Sequence, residues 1–100
     1  MKPQFDTLIH APGRLQICAV LSAVDEAEFA TVRDAVEVSD SVLSKHVKLL
    51  EDAGYVKVRK AALAGRQRTW LALTRSGRAA FSAHMRELNR LAVSAGLAAE

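Results

Sequence analysis

Residues 39–60 have the sequence SDSVLSKHVKLLEDAGYVKVRK, and this stretch decides how the chain folds. Apolar side chains recur in it at i, i+4 and i+7, the spacing of a buried helix face. These side chains are Leu43, Val47 and Leu50. Ser39 is a good N-cap, because its hydroxyl can accept a hydrogen bond from an amide of the first turn. Gly54 favours the left-handed conformation that often ends a helix, so we expect a short helix that leads directly into a strand.

The residues after Gly54 predict a β-hairpin. Residues 55–60 alternate apolar and cationic side chains, which is the pattern of a half-buried strand. Residues 61–67 contain a glycine and predict the tip of the hairpin. Residues 68–74 predict the return strand, in which Trp70 faces away from the two leucines and packs between hairpin and helices.

The N-terminal third predicts a short helical turn followed by two helices. Pro12 either breaks the first turn or is the first residue of the next helix. That helix has apolar residues at spacings of three and four. They are Leu15, Cys18, Val20, Leu21 and Val24. Residues 25–27 predict a polar joint, and residues 28–36 predict the second helix.

A long helix is predicted at the C-terminal end. Thr74 is its expected N-cap, and apolar residues recur from Phe81 to Ala92 at helical spacing. The expected fold class is therefore mainly α with a β-hairpin. The order of elements is that of a winged helix-turn-helix, with a three-helix core, a β-hairpin wing and a long C-terminal helix. We expect residues 1–100 to form one domain, with about residues 75–100 as a dimerisation helix.

The basic side chains are concentrated in one third of the chain. The net charge is +3, yet residues 39–68 hold seven basic and three acidic side chains. Such a basic face favours a polyanionic partner. A single cysteine cannot form an internal disulfide, which favours a reducing, cytoplasmic location. We find no apolar run long enough for a membrane span and no signal peptide pattern.

Two segments carry a family resemblance. Residues 43–60, LSKHVKLLEDAGYVKVRK, and residues 68–81, RTWLALTRSGRAAF, closely resemble the small winged-helix transcriptional regulators of bacteria and archaea. These are relatives of the MarR and ArsR repressor families, and the resemblance extends over about residues 8–91. It implies a homodimer on double-stranded DNA, with one recognition helix per subunit in the major groove. It also implies a wing over the adjacent backbone or minor groove, and a dimer made by the terminal helices.

The predicted recognition helix has an outward face of short polar and cationic side chains. This face holds Asp40, Ser41, Ser44, Lys45 and Lys48. We expect Ser41, Ser44 and Lys45 to contact bases or the groove, and Lys48 to contact phosphate. The alternative is an ordinary solvated helix face. Asp40 stands where related sequences often carry a neutral polar residue, so the base contacted at the helix start is left open.

Further basic residues are expected to contact DNA. His46 either touches a phosphate or packs against the helix at residues 28–36. Arg59, Lys60, Arg66 and Arg68 flank the hairpin tip with no acid among them in sequence. Their side chains can clamp phosphates or enter a narrow minor groove. The alternative is a soluble ribbon whose edge is protected by charge.

The terminal segments have more apolar surface than a small domain needs. We expect dimer contacts across a two-fold axis from Phe5, Leu8, Ile9, Phe81, Met85, Leu88, Leu91 and Ala92. The alternative is a long helix folded back on its own core.

We expect no cofactor and no catalytic activity. No phosphate loop, nucleophile elbow or cluster of histidines with carboxylates is present in the sequence. His10, His46 and His84 are scattered, and only His84 and Glu87 have the helical i, i+3 spacing of paired ligands, which is too few for a metal site within one subunit. Cys18 is expected in the core.

The sequence therefore predicts a sequence-specific, dimeric DNA-binding regulator, most often a repressor. A small-molecule effector is not indicated. Two alternatives stay open, namely a protein-interaction module for an acidic partner and a metal- or redox-responsive repressor with a site shared across the dimer.

Overall fold

A computed structural model describes residues 6–97 of the 100. The helices are α1 (Thr7–His10), α2 (Pro12–Ser22), α3 (Phe29–Val36), α4 (Asp40–Asp52) and α5 (Arg75–Ser94). The strands are β1 (Ala27–Glu28), β2 (Val56–Leu63) and β3 (Arg66–Leu73), which form one antiparallel sheet in the order β1-β3-β2. The predicted fold class is confirmed. No helix within residues 6–97 is long and apolar enough to cross a membrane.

Helix α4 forms as its local sequence predicts. The Ser39 hydroxyl accepts a hydrogen bond of 3.2 Å from the Val42 amide, and so caps the helix. The three apolar residues of the predicted inner face are buried. Gly54 follows the last turn with φ +80°, in the left-handed region that ends the helix.

The start of α2 is also set by a local signal. Pro12 is the first residue of α2, which decides between the two roles left open for it. Ile17, Cys18 and Leu21 are buried on its inner face, whereas Val24 is exposed beyond the end of the helix.

The hairpin is longer than predicted, and its tip is tighter. Residues 61–67 were expected to form the tip, but most of them are paired strand. Only Ala64 and Gly65 form the turn, with φ of 52° and 75°, and Leu63 pairs with Arg66 across it. A two-residue turn with positive φ at both positions matches the twist of the two strands. Alanine is uncommon at such a position, so the sequence did not reveal this turn.

A third strand was missed. The sequence predicted residues 25–27 as a polar joint, but Ala27 and Glu28 pair with Leu71 and Trp70 of β3. The pairing partners are more than 40 residues apart along the chain, and two residues carry no periodic pattern. The consequence is that an acidic segment lies beside the basic wing.

One core joins the helices to the sheet. Its buried residues come from α1, α2, α3, α4, β2 and β3. They are Ile9, Ile17, Cys18, Leu21, Val32, Val36, Leu43, Val47, Leu50, Val56, Leu71 and Leu73. Helix α4 and the two strands of the hairpin therefore pack against the same hydrophobic core.

The start of α5 packs against Tyr55, in the segment that joins α4 to β2. The Thr74 hydroxyl accepts from the Gly77 amide at 3.0 Å, and the Thr74 amide donates to the Tyr55 carbonyl at 3.0 Å. A Cβ placed on Gly77 would lie 2.1 Å from that same carbonyl oxygen. Only glycine allows α5 to approach the backbone of Tyr55 this closely.

Candidate nucleic-acid interface

The outward face of α4 presents the side chains that the sequence predicted. Ser41, Ser44, Lys45 and Lys48 are exposed on the side of the helix opposite its buried stripe. The Lys48 ammonium group lies 3.0 Å from the Asp52 carboxylate one turn along, and this hydrogen bond raises the pKa of Lys48. Both partners are exposed, so a phosphate can replace Asp52 at little cost. We call Asp40, Ser41, Ser44, Lys45 and Lys48 the recognition face.

The side chain of His46 is half-buried between α4 and the start of α2. Its Nδ1 accepts a hydrogen bond of 3.3 Å from Arg14, and its ring lies against Gly13 at the start of α2. Partial burial, followed by the charges of Arg14 and Lys45, lowers the pKa of His46. The structure thus realises the packing alternative, although the partner is α2 and not α3. The ring sets the position of α4 relative to α2.

Two of the three wing arginines, Arg59 and Arg68, are paired with acidic side chains that lie outside the hairpin. Arg59 donates to both carboxylate oxygens of Glu26, at 2.7 and 3.3 Å, and its guanidinium group lies 5.4 Å from the Trp70 ring. Arg68 donates to Glu28 at 2.8 Å in a half-buried pair, and the Nε of Arg68 is buried with no hydrogen-bond partner among residues 6–97. The acids come from β1 and the loop before it, and therefore do not lie near the hairpin in sequence.

The other two wing cations are placed differently. Lys60 and Arg66 are exposed, and within residues 6–97 neither lies within 4.0 Å of an acidic oxygen. Lys60 shares a groove of about 430 Å³ with Ser44 and Lys48, between α4 and the wing. The structure thus brings together predicted contact residues from the helix and from β2.

Two residues of this surface were missed from the sequence. Arg33 of α3 donates to the Asp40 carboxylate at 2.9 Å and to Asp34 at 3.0 Å. The turn between α3 and α4 brings Arg33 and Asp40 together, so no helical spacing revealed the pair. Val42 is 41% exposed on the outward side of α4, and it was assigned no role from the sequence.

The predicted dimer residues differ in how exposed they are. Ile9 is 0% exposed in the core of the subunit, so its assignment to a dimer surface is wrong. Leu8, Phe81, Leu88 and Ala92 are half-buried. Met85 and Leu91 are 41% and 44% exposed, and a shallow groove on the outer face of α5 contains Phe81 and Met85. Phe5 lies outside the described residues.

Two of the histidines that looked scattered in the sequence are in contact. The Asp6 amide donates to Nδ1 of His84 at 3.1 Å, so the other ring nitrogen of neutral His84 carries the hydrogen. That nitrogen lies 3.2 Å from Nδ1 of His10, which must then accept. His84 is 0% exposed, and its burial, followed by the proximity of His10, lowers its pKa.

Metal and redox chemistry find little support in this arrangement. Within the described part of the chain, no three histidine, cysteine, aspartate or glutamate side chains are grouped to hold a metal ion. Cys18 is buried, and desolvation raises the pKa of its thiol to about 11, which leaves it in the unreactive protonated form at neutral pH.

Comparison with known proteins relates this chain to a domain family and to an archaeal protein. The sequence model of the winged helix DNA-binding domain matches residues 14–92. The chain is 32% identical over 78 residues to an uncharacterised protein of Methanocaldococcus jannaschii, with 78% of this chain and 85% of that protein covered.

Solved structures extend this likeness. A transcriptional regulator homologue from Pyrococcus horikoshii OT3 superposes with a TM-score of 0.81 at 25% identity, over 87% of this chain and 86% of that chain. A MarR-family transcriptional regulator from Silicibacter pomeroyi superposes with a TM-score of 0.63 at 25% identity, over 85% of this chain and 59% of that chain.

These matches confirm the resemblance drawn from residues 43–60 and 68–81. The family match extends from α2 into α5 and so contains the three-helix core and the wing. The chain therefore belongs to the winged helix DNA-binding domain family and is a DNA-binding transcriptional regulator.

Proposed function

We propose that this protein is a homodimeric repressor that binds double-stranded DNA sequence-specifically. The observation that carries the proposal is the recognition face of α4, where short hydroxyl and cationic side chains are exposed beside Lys60 of the wing. A helix that enters the major groove needs side chains of this size and polarity to reach base edges. We infer a binding role and no catalytic activity.

Within this proposal, base contacts and phosphate contacts are divided between named residues. Ser41, Ser44 and Lys45 lie on the outermost part of α4 and contact base edges. Lys48, Lys60 and Arg66 are exposed and contact phosphates. Arg59 and Arg68 contribute less, because each must first leave a glutamate. His46 acts from behind by holding α4 against α2.

The dimer is proposed to form through the outer face of α5. Met85 and Leu91 are exposed apolar residues on this helix, and half-buried Phe81 lies beside Met85 in the shallow groove. A second copy related by a two-fold axis would cover this face and place two recognition helices on one side of the assembly. Leu8, Leu88 and Ala92 would lie at its border.

Selection of binding sites from a random duplex pool tests the sequence preference. We expect a selected motif with two related half-sites, whose separation reports the distance between the two copies of α4. Binding to that motif and to a scrambled duplex is then measured by fluorescence anisotropy between 50 and 200 mM salt, ~fourfold in concentration. A pool that yields no motif, with equal affinity for both duplexes, would contradict the proposal.

Sedimentation tests the dimer separately from DNA binding. We expect the wild-type chain to sediment as a dimer at micromolar concentration, and Met85→Glu to sediment as a monomer, because a charge would be buried in an apolar interface. Val24→Glu is the control, since Val24 is equally exposed but does not line the groove that contains Met85, although its carbonyl accepts from Arg78 at the start of α5. A wild-type chain that stays monomeric at high concentration would refute the proposed dimer.

A further inference from the structure

We propose that Asp40 is a specificity-determining residue that selects cytosine in the DNA site, and that Arg33 positions it. This inference rests on the proposed sequence-specific binding, and it gives a role to the residue of the recognition face that the family resemblance left unexplained. It is carried by the contact between α3 and the first turn of α4.

Asp40 lies where a base contact is made in this type of domain. It is the first residue of α4, and its side chain is 69% exposed. The N-terminal residues of a recognition helix are those that contact base edges. Asp40 also lines the groove that contains Ser44, which lies one helical turn further along α4 and is predicted to contact bases.

Arg33 holds the carboxylate in place and offsets its charge. Its Nη1 donates to Oδ1 of Asp40 at 2.9 Å, while its Nε donates to Asp34 at 3.0 Å. Guanidinium and carboxylate groups bonded in this way are oriented by the planar geometry of arginine. The hydrogen bond from Arg33 engages Oδ1, and within residues 6–97 no hydrogen bond is made to Oδ2. Oδ2 is therefore the oxygen that can accept from a base.

The chemistry of the major groove then selects one base. A carboxylate can only accept hydrogen bonds, and the major groove offers two donors, the amino groups of cytosine and adenine. Adenine places its N7 acceptor beside its amino group, and guanine and thymine present acceptor oxygens. These lone pairs repel a carboxylate. Cytosine offers the amino donor without an adjacent acceptor, so Asp40 favours cytosine.

The cost of bringing a carboxylate near DNA is reduced by the same contact. An unpaired aspartate in the groove would be repelled by the phosphates. The positive charge of Arg33, 2.9 Å from the Asp40 carboxylate, offsets part of this repulsion. Arg33 keeps its position relative to α4 because α3 and α4 pack in one core. Because Arg33 also pairs with Asp34, the three side chains together keep one negative charge, so the contact reduces the repulsion from phosphate without removing it.

Site selection with variants tests this assignment. For the wild type we expect one position in each half-site at which cytosine is preferred by on the order of tenfold over other bases. Asp40→Ala should lose the preference at that position alone. Asp40→Asn should shift it to adenine, because an amide both accepts from the amino group and donates to N7.

Arg33 is tested through the same position. Arg33→Gln should weaken the cytosine preference there by a few-fold and leave the other positions unchanged, since it frees the carboxylate from its fixed orientation. Asp34→Asn is the matched control, because it removes the other acidic partner of Arg33 without changing α4. We expect no change in its selected motif. Circular dichroism melting of each variant verifies that the fold is retained.

The possible outcomes distinguish failure of the role of Asp40 from failure of the proposed sequence-specific binding. A wild-type motif that is kept unchanged by Asp40→Ala and Asp40→Asn would overturn the role of Asp40 and leave sequence-specific binding intact. Uniform weakening on all sequences would overturn it as well, because it would show a purely electrostatic effect. A wild-type chain that selects no motif would overturn the proposed function, and with it this inference.

Discussion

The recognition face of α4 and the wing are both basic in sequence, but their charges are held in different ways. Lys48 pairs with Asp52 of its own helix, through an exposed contact that phosphate can replace. Arg59 and Arg68 pair with glutamates 33 and 40 residues away, which β1 brings to the sheet. The number of basic residues in a segment therefore does not give the charge that is available to DNA. We therefore expect α4 to contribute more to DNA binding than the wing, because Arg59 and Arg68 of the wing are held by glutamates.

The largest expected effect is at the junction of these two regions. Gly77→Ala would place a methyl group 2.1 Å from the Tyr55 carbonyl oxygen, in the segment that joins α4 to β2. The Cβ position is fixed by the helix and the oxygen belongs to the backbone, so no side-chain rotation relieves the clash. The helix must therefore shift, and we expect a loss of about 3 kcal/mol in the free energy of unfolding. Urea denaturation measures this loss. Ser82→Ala, at an exposed position of the same helix, should change stability by less than about 0.5 kcal/mol.

If Gly77→Ala were as stable as Ser82→Ala, the close approach of α5 to Tyr55 would be contradicted. The relative placement of α4 and the wing would then not depend on this contact.

The next prediction separates base contacts from phosphate contacts. Lys45→Ala should cost about 1–3 kcal/mol in binding to the selected site and much less on random DNA, since Lys45 is assigned to a base edge. Arg66→Ala should weaken binding to both DNAs alike and reduce the slope of log affinity against log salt by about one. Anisotropy titrations on the two duplexes at several salt concentrations measure both quantities. Equal losses on both duplexes for both variants would contradict this division.

A smaller effect tests the restraint on the wing. Glu26→Gln removes the carboxylate that holds Arg59, while the neighbouring Glu28 pair is left in place. We expect a several-fold gain in affinity for any duplex and a steeper salt dependence, because one more guanidinium group becomes available to phosphate. Asp25→Asn is the control, since it also removes one negative charge in this loop but is not paired with Arg59. A gain of the same size in Asp25→Asn would show that only the net charge matters.

The smallest predicted effect concerns pH. His46 is a residue of α4 and His84 lies on the buried side of α5, whereas the strands of the wing contain no histidine. Burial is the leading cause that lowers the pKa of both histidines from the ordinary value of 6.5. Between the lowered and the ordinary values the unfolded chain binds more protons, so stability is retained above pH 6.5 and decreases as pH falls below it.

Urea titrations between about pH 5 and pH 8 measure this dependence, since maximal stability commonly lies in that range. His84→Gln should reduce the slope of stability against pH below pH 6.5, whatever its effect on absolute stability. An unchanged slope would show that protonation of His84 is not linked to unfolding.

Most of the fold could be predicted because its signals are local. The cap at Ser39, the apolar spacing in α4, the stop at Gly54 and the cap at Thr74 each involve residues within a few positions of one another. The tip of the hairpin was misplaced, because Ala64 adopts a positive φ that its residue type does not suggest. Strand β1 was missed because two residues carry no pattern of their own.

The candidate site could be predicted only in part. The outward residues of α4 follow from helix periodicity, and family membership supports their proposed role. The glutamate partners of Arg59 and Arg68 could not be predicted, and neither could the pairing of Arg33 with Asp40 or the contact of His10 with His84. Ile9 was misassigned because a short apolar turn gives no sign of which side meets the core.

The sequence by itself determined where the helices and the hairpin lie and which side of α4 is polar, since backbone hydrogen bonding and side-chain periodicity act over a few residues. Only the tertiary structure decided which charges are paired. Side chains far apart in the chain meet when the core closes, and an ion pair depends on distance in space alone. Asp40 and Arg59 illustrate this difference, because the role proposed for each depends on its partner, Arg33 for Asp40 and Glu26 for Arg59.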